Sequence, residues 1–390
     1  MNIEKTVFAQ LLSFIPRYEF DKCVTRYKGN YRVKTFTCWE QFIVMCFAQL
    51  TYRDSLRDIE TCLHAMQTKL YHVGLRSKIA RSTIADANES RDWHIFADFC
   101  HFLIGWAEKL YHDDDNFKLE LKNAVYAVDS TTIDLCLSLF PWAKFRKNKG
   151  AVKLHTQLNL KTLLPKDIEI TDGLCHDVNI LDRIIFELNS IYVLDRGYVD
   201  FQRLYTIHTG KAYFVIRAKK NLRFKRIISN KVDKATGVQC DQIIKLAGTV
   251  VSKDYPERIR RVKYRDSQTN QVFVYLTNHF ELAPEIIAEL YKNRWKIELF
   301  FKWIKQHLKI KAFYGTSVNA VFTQIWIAIS AYVLVAIVKK LLKLDHSLYT
   351  VLQILSVCLF EKTQLNQVFL KSNFNISDPT IDKQLILFDS

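Results

Sequence analysis

Asp129 and Asp195 each close a short apolar run, Val125-Tyr126-Ala127-Val128 and Ile191-Tyr192-Val193-Leu194, of the kind that forms strands buried on both faces. An aspartate at the end of such a strand leaves the sheet for solvent, and two of them on neighbouring strands can converge on one cation. Taken singly, each also reads as a turn residue that ends a strand. A second group, Tyr291, Arg294, Glu298 and Lys305, has offsets of three, four and seven, which places all four along one stripe of a helix. Ile297, Phe301, Ile304 and Leu308 supply the apolar side of that helix and leave the polar stripe free to face a cleft. Ordinary ion pairing of Glu298 with Arg294 or Lys305 on a solvated face is the competing account.

The elements that must position these residues follow from the period of the apolar pattern. Residues 1–118 read as an all-helical leading domain, with apolar residues at three and four spacing in Val7-Leu11-Leu12 and Phe42-Met45-Cys46. Within it, Leu75 to Asp86 combines basic residues with Ser82 or Thr83 as an N-cap; a helix-turn-helix and a solvated helix pair fit equally. Residues 119–345 form the core. Strands are expected at Val125–Val128, Val152–Leu160, Ile168–Thr171, Ile191–Leu194 and Ala212–Ile216, with helices at Val178–Leu188 and Val199–His208. That order matches an α/β fold with a ribonuclease H-like mixed sheet and helices. Residues 218–276 interrupt it as a basic, β-rich insertion before the last acidic residue, and one helix is expected from Pro284 to Leu308. Helices at 318–343 and 347–362 follow; residues 346–390 make a C-terminal helical segment whose tail from Lys371 is loosely held.

A chain of 390 residues with a formal charge of +16 favours a polyanionic partner, nucleic acid or an anionic membrane surface. Nine cysteines without a CxxC pair suggest neither a zinc site nor a disulfide framework, and reduced thiols suit a cytoplasmic protein. The N-terminus lacks the pattern of a secretory signal. Val318 to Val338 carries no charge and is long enough to span a bilayer, but Asn319, Thr323, Gln324 and Ser330 within it favour a buried core helix.

Tyr291-Lys292-Asn293-Arg294-Trp295-Lys296-Ile297-Glu298, continuing to Lys305, resembles the Tyr-x2-Arg-x3-Glu-x6-Lys signature of DDE transposases of bacterial insertion sequences, the IS-four family. Asp195-Arg196-Gly197-Tyr198 and Tyr126-Ala127-Val128-Asp129 look like that family's other two blocks. The resemblance covers about residues 120–345 and implies a ribonuclease H-like core with a β insertion.

It also implies an enzyme that binds the terminal inverted repeats of an insertion sequence, cleaves DNA and joins the freed 3′-hydroxyl to target DNA. Asp129, Asp195 and Glu298 would be both catalytic residues and ligands of two Mg2+ ions per active site, with Mn2+ as a substitute. Tyr291, Arg294 and Lys305 would hold phosphates, with a flipped nucleotide in relatives that form a hairpin. The insertion lacks a tryptophan to stack on such a base; Tyr255, Tyr264 and Phe273 are the substitutes it offers. The basic run Lys253, Arg258, Arg260, Arg261, Lys263 and Arg265 suits phosphate tracking along DNA, with the soluble face of a strand as the competing account. A homodimer in the DNA complex, a cytoplasmic, nucleoid-associated location in a bacterium and no membrane contact complete the expectation. The rival readings are a ribonuclease H-like nuclease without strand transfer and a DNA-binding relative without catalysis.

Overall fold

The structure is a computed structural model that describes residues 5–112, 119, 121–147, 149–307 and 313–370. The leading helices are α1 (Val7–Ser13), α2 (Arg17–Arg26), α3 (Cys38–Leu50), α4 (Leu56–Ala65), α5 (Gln67–Leu70), α6 (Arg81–Ser90) and α7 (His94–Leu110). The capping box of Thr37 and Glu40 starts α3, and its residues from Phe42 to Ala48 are nearly all enclosed. The helix expected near residue 82 begins at Arg81; its N-cap, Ala80, has no side-chain acceptor, and Glu60 from α4 accepts the Arg81 N–H instead. Some fifteen residues, including α5, separate α4 from α6, which is longer than the short turn of a helix-turn-helix.

The core sheet contains β1 (Val125–Leu135), β2 (Lys144–Arg146), β3 (Lys149–Asn159), β4 (Pro165–Asp172), β5 (Ile191–Leu194) and β6 (Tyr213–Arg217). β1 runs antiparallel to β3 and parallel to β5, and β5 runs parallel to β6. This is the ribonuclease H arrangement. Alternate residues of β1 and β5 enter opposite layers. Val125, Ala127, Ile191 and Val193 join the core shared with the helices, whereas Tyr126, Val128, Tyr192 and Leu194 pack under α8 (Phe201–Thr209).

The segment expected as a helix from Val178 to Leu188 is instead a 3-10 turn, Asp177–Asp182, followed by irregular chain. Phe186 packs against Tyr192 and Glu187 accepts the Tyr126 hydroxyl, so anchors to the strands replace helical hydrogen bonds there.

The insertion forms β7 (Phe224–Asn230), β8 (Val238–Leu246), the short α9 (Val251–Asp254), β9 (Arg258–Arg265) and β10 (Val272–Thr277). It is not a detached module. β10 pairs antiparallel with β6, so core and insertion make one sheet in the order β2-β3-β1-β5-β6-β10-β9-β8-β7, with β4 on β3.

The helix expected from Pro284 to Leu308 is broken into α10 (Pro284–Lys292) and α11 (Trp295–His307); Leu308 lies outside the described residues. At the break the N–H groups of Arg294, Lys296 and Ile297 donate to the carbonyls of Tyr291, Asn293 and Arg294, three residues back, which tightens the turn. α12 (Val318–Leu341) is long and apolar enough to cross a membrane, yet 94% of its apolar window is buried inside the fold. α7, α3 and α6 cover it, and Asn319 bonds the carbonyls of Asn88 and Arg91. α13 (Leu348–Cys358) and α14 (Leu365–Leu370) close against α1, where the N–H groups of Val7 and Phe8 reach Glu361 and Leu359. The tail expected from Lys371 lies outside the described residues.

Candidate active site

The parallel register of β1 and β5 pairs Val125 with Ile191 and Val128 with Leu194. One residue further along each strand stand Asp129 and Asp195. Both share the parity of Val125, Ala127, Ile191 and Val193, so both emerge on the sheet face that α10 and α11 cover. The two aspartates are thus neighbours on the side from which the Tyr291-to-Lys305 segment approaches.

Arg294 sits at the centre. Its Nη1 donates to Asp129 Oδ2 at 2.8 Å, and its Nη2 donates to Glu298 Oε1. The break between α10 and α11 turns the guanidinium so that it reaches an acid on each side, which an unbroken stripe does not require. Tyr291 donates its hydroxyl to Asp195 Oδ1 at 3.2 Å and packs on Tyr275. Lys305 donates to the Thr132 carbonyl at 2.7 Å, further along β1.

Burial pushes the Asp129 carboxyl up to about 6; Arg294 and the Ser130 N–H oppose that rise, and the negative charges of Asp195 and Glu298 add to it. Burial also works against the Arg294 charge, but Asp129 and Glu298 hold the guanidinium firmly protonated. The Tyr291 hydroxyl is pushed up to about 12, chiefly by burial. Glu298 stays open, with 57% of its side chain exposed against 20% for Asp129. Among the described residues no three acid, histidine or cysteine side chains stand close enough to chelate one ion as arranged here. Three carboxylates are nevertheless the hard oxygen donors that Mg2+ prefers, and Asp129 remains undercompensated even beside Arg294.

The insertion's cations differ in burial. Arg260 is buried, paired with Asp241 at 2.8 Å and bonded to the carbonyls of His279, Phe280 and Leu282. This corrects its expected place in a phosphate-tracking row: Asp241 on β8 and three backbone carbonyls draw it into the protein although Arg258, on the same face, stays exposed, and it ties β9 to β8 and the chain before α10. Arg258 is exposed and Lys263 half-buried. Arg261 is oriented by Gln242 at 2.9 Å and lies over the Phe224 ring.

Arg261 lines a cleft with Arg196, Arg217, Lys219 and Lys220, four cations the sequence reading passed over. The signal was the run Arg217-Ala218-Lys219-Lys220 directly after a buried strand. Arg217 also lines a second cleft with Asp195, Tyr264, Phe273, Tyr291, Arg294 and Trp295, so the two clefts meet at Arg217. Tyr255 is withdrawn from the base-stacking candidates, since it is fully buried and bonds His208 at 2.7 Å. Trp295, which reasoning confined to the insertion missed, is exposed beside Tyr264 and Phe273.

Residues 120–334 match the Transposase DDE domain family, and residues 3–76 match a domain of unknown function, DUF4372. A chain named as a transposase in Sinorhizobium fredii is 33% identical over 287 residues, covering 72% of this chain and 78% of that relative. A chain named as the transposase for insertion sequence element IS5377 of Geobacillus stearothermophilus is 34% identical over 218 residues, 55% of this chain and 57% of the relative. The synaptic-complex structure of piggyBac transposase with hairpin DNA aligns with 95% of this chain and 82% of that one, at a TM-score of 0.47 and 9% identity. With the DDE domain matched across more than half its length and the Sinorhizobium fredii relative beside it, the chain belongs to the DDE transposases.

Proposed function

We propose that this transposase binds the ends of an insertion sequence, cleaves the phosphodiester bond there and joins the freed 3′-hydroxyl to target DNA. Asp129, Asp195 and Glu298 are the residues that would hold two divalent ions, Mg2+ or Mn2+. When bound, such ions stabilise the attacking and leaving oxygens of an in-line displacement. One observation carries the reading. Two aspartates on adjacent parallel strands emerge one rung past Val128 and Leu194, on the side where Arg294 links Asp129 to Glu298.

The chain's own residues bind and orient the DNA. Arg294 offers a planar fork that suits two phosphate oxygens, Tyr291 a hydroxyl donor, and Lys305 a point charge. Arg196, Arg217, Lys219, Lys220 and Arg261 continue the positive surface away from the acids and suit the phosphates of the strand beside the cut. Arg258 and Lys263 extend that surface on the insertion. Tyr264, Phe273 and Trp295 supply aromatic faces next to Asp195 on which an unpaired base can stack. Residues 1–118 would contact the terminal repeats, with Arg76, Lys78 and Arg81 exposed ahead of and at the start of α6. A homodimer on paired DNA ends and a cytoplasmic location belong to the same reading.

The test is Glu298→Gln on the full chain, given Mg2+, donor ends with flanking DNA and a target plasmid. Cleavage should fall by at least about a thousandfold while binding to the ends changes less than about threefold. Normal cutting by that variant would remove the assignment. Cut but unjoined products from the wild type would leave a nuclease without strand transfer.

A further inference from the structure

Each of the three acids is already engaged by a residue of the segment assigned to phosphate. Asp129 Oδ2 accepts from Arg294 at 2.8 Å and its Oδ1 accepts from the Ser130 N–H at 2.8 Å. Glu298 accepts from the other arm of the same guanidinium, and Asp195 accepts from Tyr291 at 3.2 Å. The Arg294 side chain is only 15% exposed, its guanidinium held between two carboxylates that a metal would have to share. A divalent ion and a guanidinium cannot both neutralise the same pair of acids without repelling each other at short range.

We infer that Arg294 is a resident counter-cation of the DNA-free enzyme, and that transfer of its guanidinium from Asp129 and Glu298 to a DNA phosphate is what opens the acids to metal. Metal and DNA then bind cooperatively. The phosphate gives Arg294 a bidentate partner in place of the carboxylates, and the released carboxylates give the metal its oxygens. Thermodynamic linkage requires the effect to be mutual: DNA strengthens metal binding by the same factor that metal strengthens DNA binding. Tyr291 moves in parallel, passing from Asp195 to a phosphate oxygen. The consequence is an enzyme whose acids are kept from chelating ions until an element end is seated, which limits cutting of DNA that is not properly docked. This rests on the reading of the three acids as metal ligands.

The experiment titrates the full chain with Mn2+ by electron paramagnetic resonance. It is run free and bound to a duplex that ends at the element terminus and carries a 3′-deoxynucleotide, so that no chemistry follows. The wild type should bind Mn2+ at least about tenfold more tightly with DNA than without. Arg294→Gln should tighten Mn2+ binding to the DNA-free protein by about tenfold and reduce the DNA effect to less than about threefold. Arg294→Lys separates a bridging guanidinium from mere positive charge. It keeps the charge but cannot span both acids, so it should behave like the glutamine variant. Tyr291→Phe, which leaves Arg294 in place, should give a smaller gain in the same direction.

Equal Mn2+ affinity of wild type and both Arg294 variants in the absence of DNA would overturn the inference. So would an Arg294→Lys protein indistinguishable from wild type. Glu298→Gln, measured alongside, separates the two levels. If it weakens Mn2+ binding while the Arg294 variants do nothing, the metal site stands and the switch falls; if it leaves Mn2+ binding unchanged, both fall.

Discussion

At the scale of single residues, Asp129 shows most directly what the active site costs the folded chain. Its carboxyl is pushed from the ordinary aspartate value of 3.8 up to about 6, with burial as the main cause. An acid held above its unfolded value binds its proton more tightly when folded. Its contribution to stability is therefore full below about pH 4 and lost as pH rises through about 6. Asp129→Asn, which stays neutral, should melt higher than the metal-free wild type near pH 8, by on the order of 1–3 kcal/mol. The difference should close as pH falls toward about 4. With an element-end duplex bound, adding Mg2+ should raise the melting temperature of the wild type and not of the variant, by mass action on a site that only the wild type has. A variant less stable than wild type at both pH values would mean that the lost Arg294 contact outweighs burial. The identities of these residues were legible beforehand because chemistry restricts residue type: apolar runs ending in Asp, and a stripe of Tyr, Arg, Glu and Lys on one helix. The direct contact of Arg294 with Asp129 was not legible. It depends on a local turn at Asn293 and on a strand distant in sequence.

At the scale of elements, the strand β9 separates what composition can say from what pairing decides. Its cations read as a single basic row, yet even two that share a face of the strand differ in what the neighbouring chain offers them. Arg258 stays exposed, while Arg260, two residues on along the same face, dips into the protein and meets Asp241, with both side chains about 5% exposed or less. Breaking such a pair leaves a buried charge, so Arg260→Met should destabilise the protein by about 3–5 kcal/mol, read as a fall in melting temperature and in soluble yield. Arg258→Ala should change stability by less than about 0.5 kcal/mol and lower the salt dependence of DNA binding by about one unit of slope. An Arg260→Met protein of normal stability with weakened DNA binding would reverse the assignment. The helix over 284–308 fails as a single element for a related reason. Apolar periodicity runs straight through Asn293 and Arg294, yet the ladder is interrupted there, where the Asn293 side-chain amide donates to the Glu289 carbonyl and Arg294 faces two acids.

At the scale of the whole molecule, α12 decides how the parts hold together. Its residues from Ala320 to Val338 are almost wholly enclosed, and much of the cover comes from α3, α6 and α7, more than two hundred residues earlier in the chain. Polar ties reinforce the packing: Asn319 to the C-terminal end of α6, Tyr111 to the Ala336 carbonyl, and Tyr314 to the Arg53 carbonyl. The sequence shows a helical region followed by an α/β region, and local patterns divide them cleanly, because periodicity reports which face is apolar and not which partner covers it. The core that results is shared, running from α1 through α12 to the sheet. Residues 119–345 expressed without the leading helices should therefore aggregate, since an apolar helix long enough to cross a membrane would lose its cover. Supplying residues 1–118 as a separate chain in the same cell should restore soluble core, with the two segments eluting together on size exclusion. A soluble, cooperatively melting 119–345 fragment would show instead that the catalytic core closes on its own, and that the leading helices are an independent unit free to move with the DNA ends.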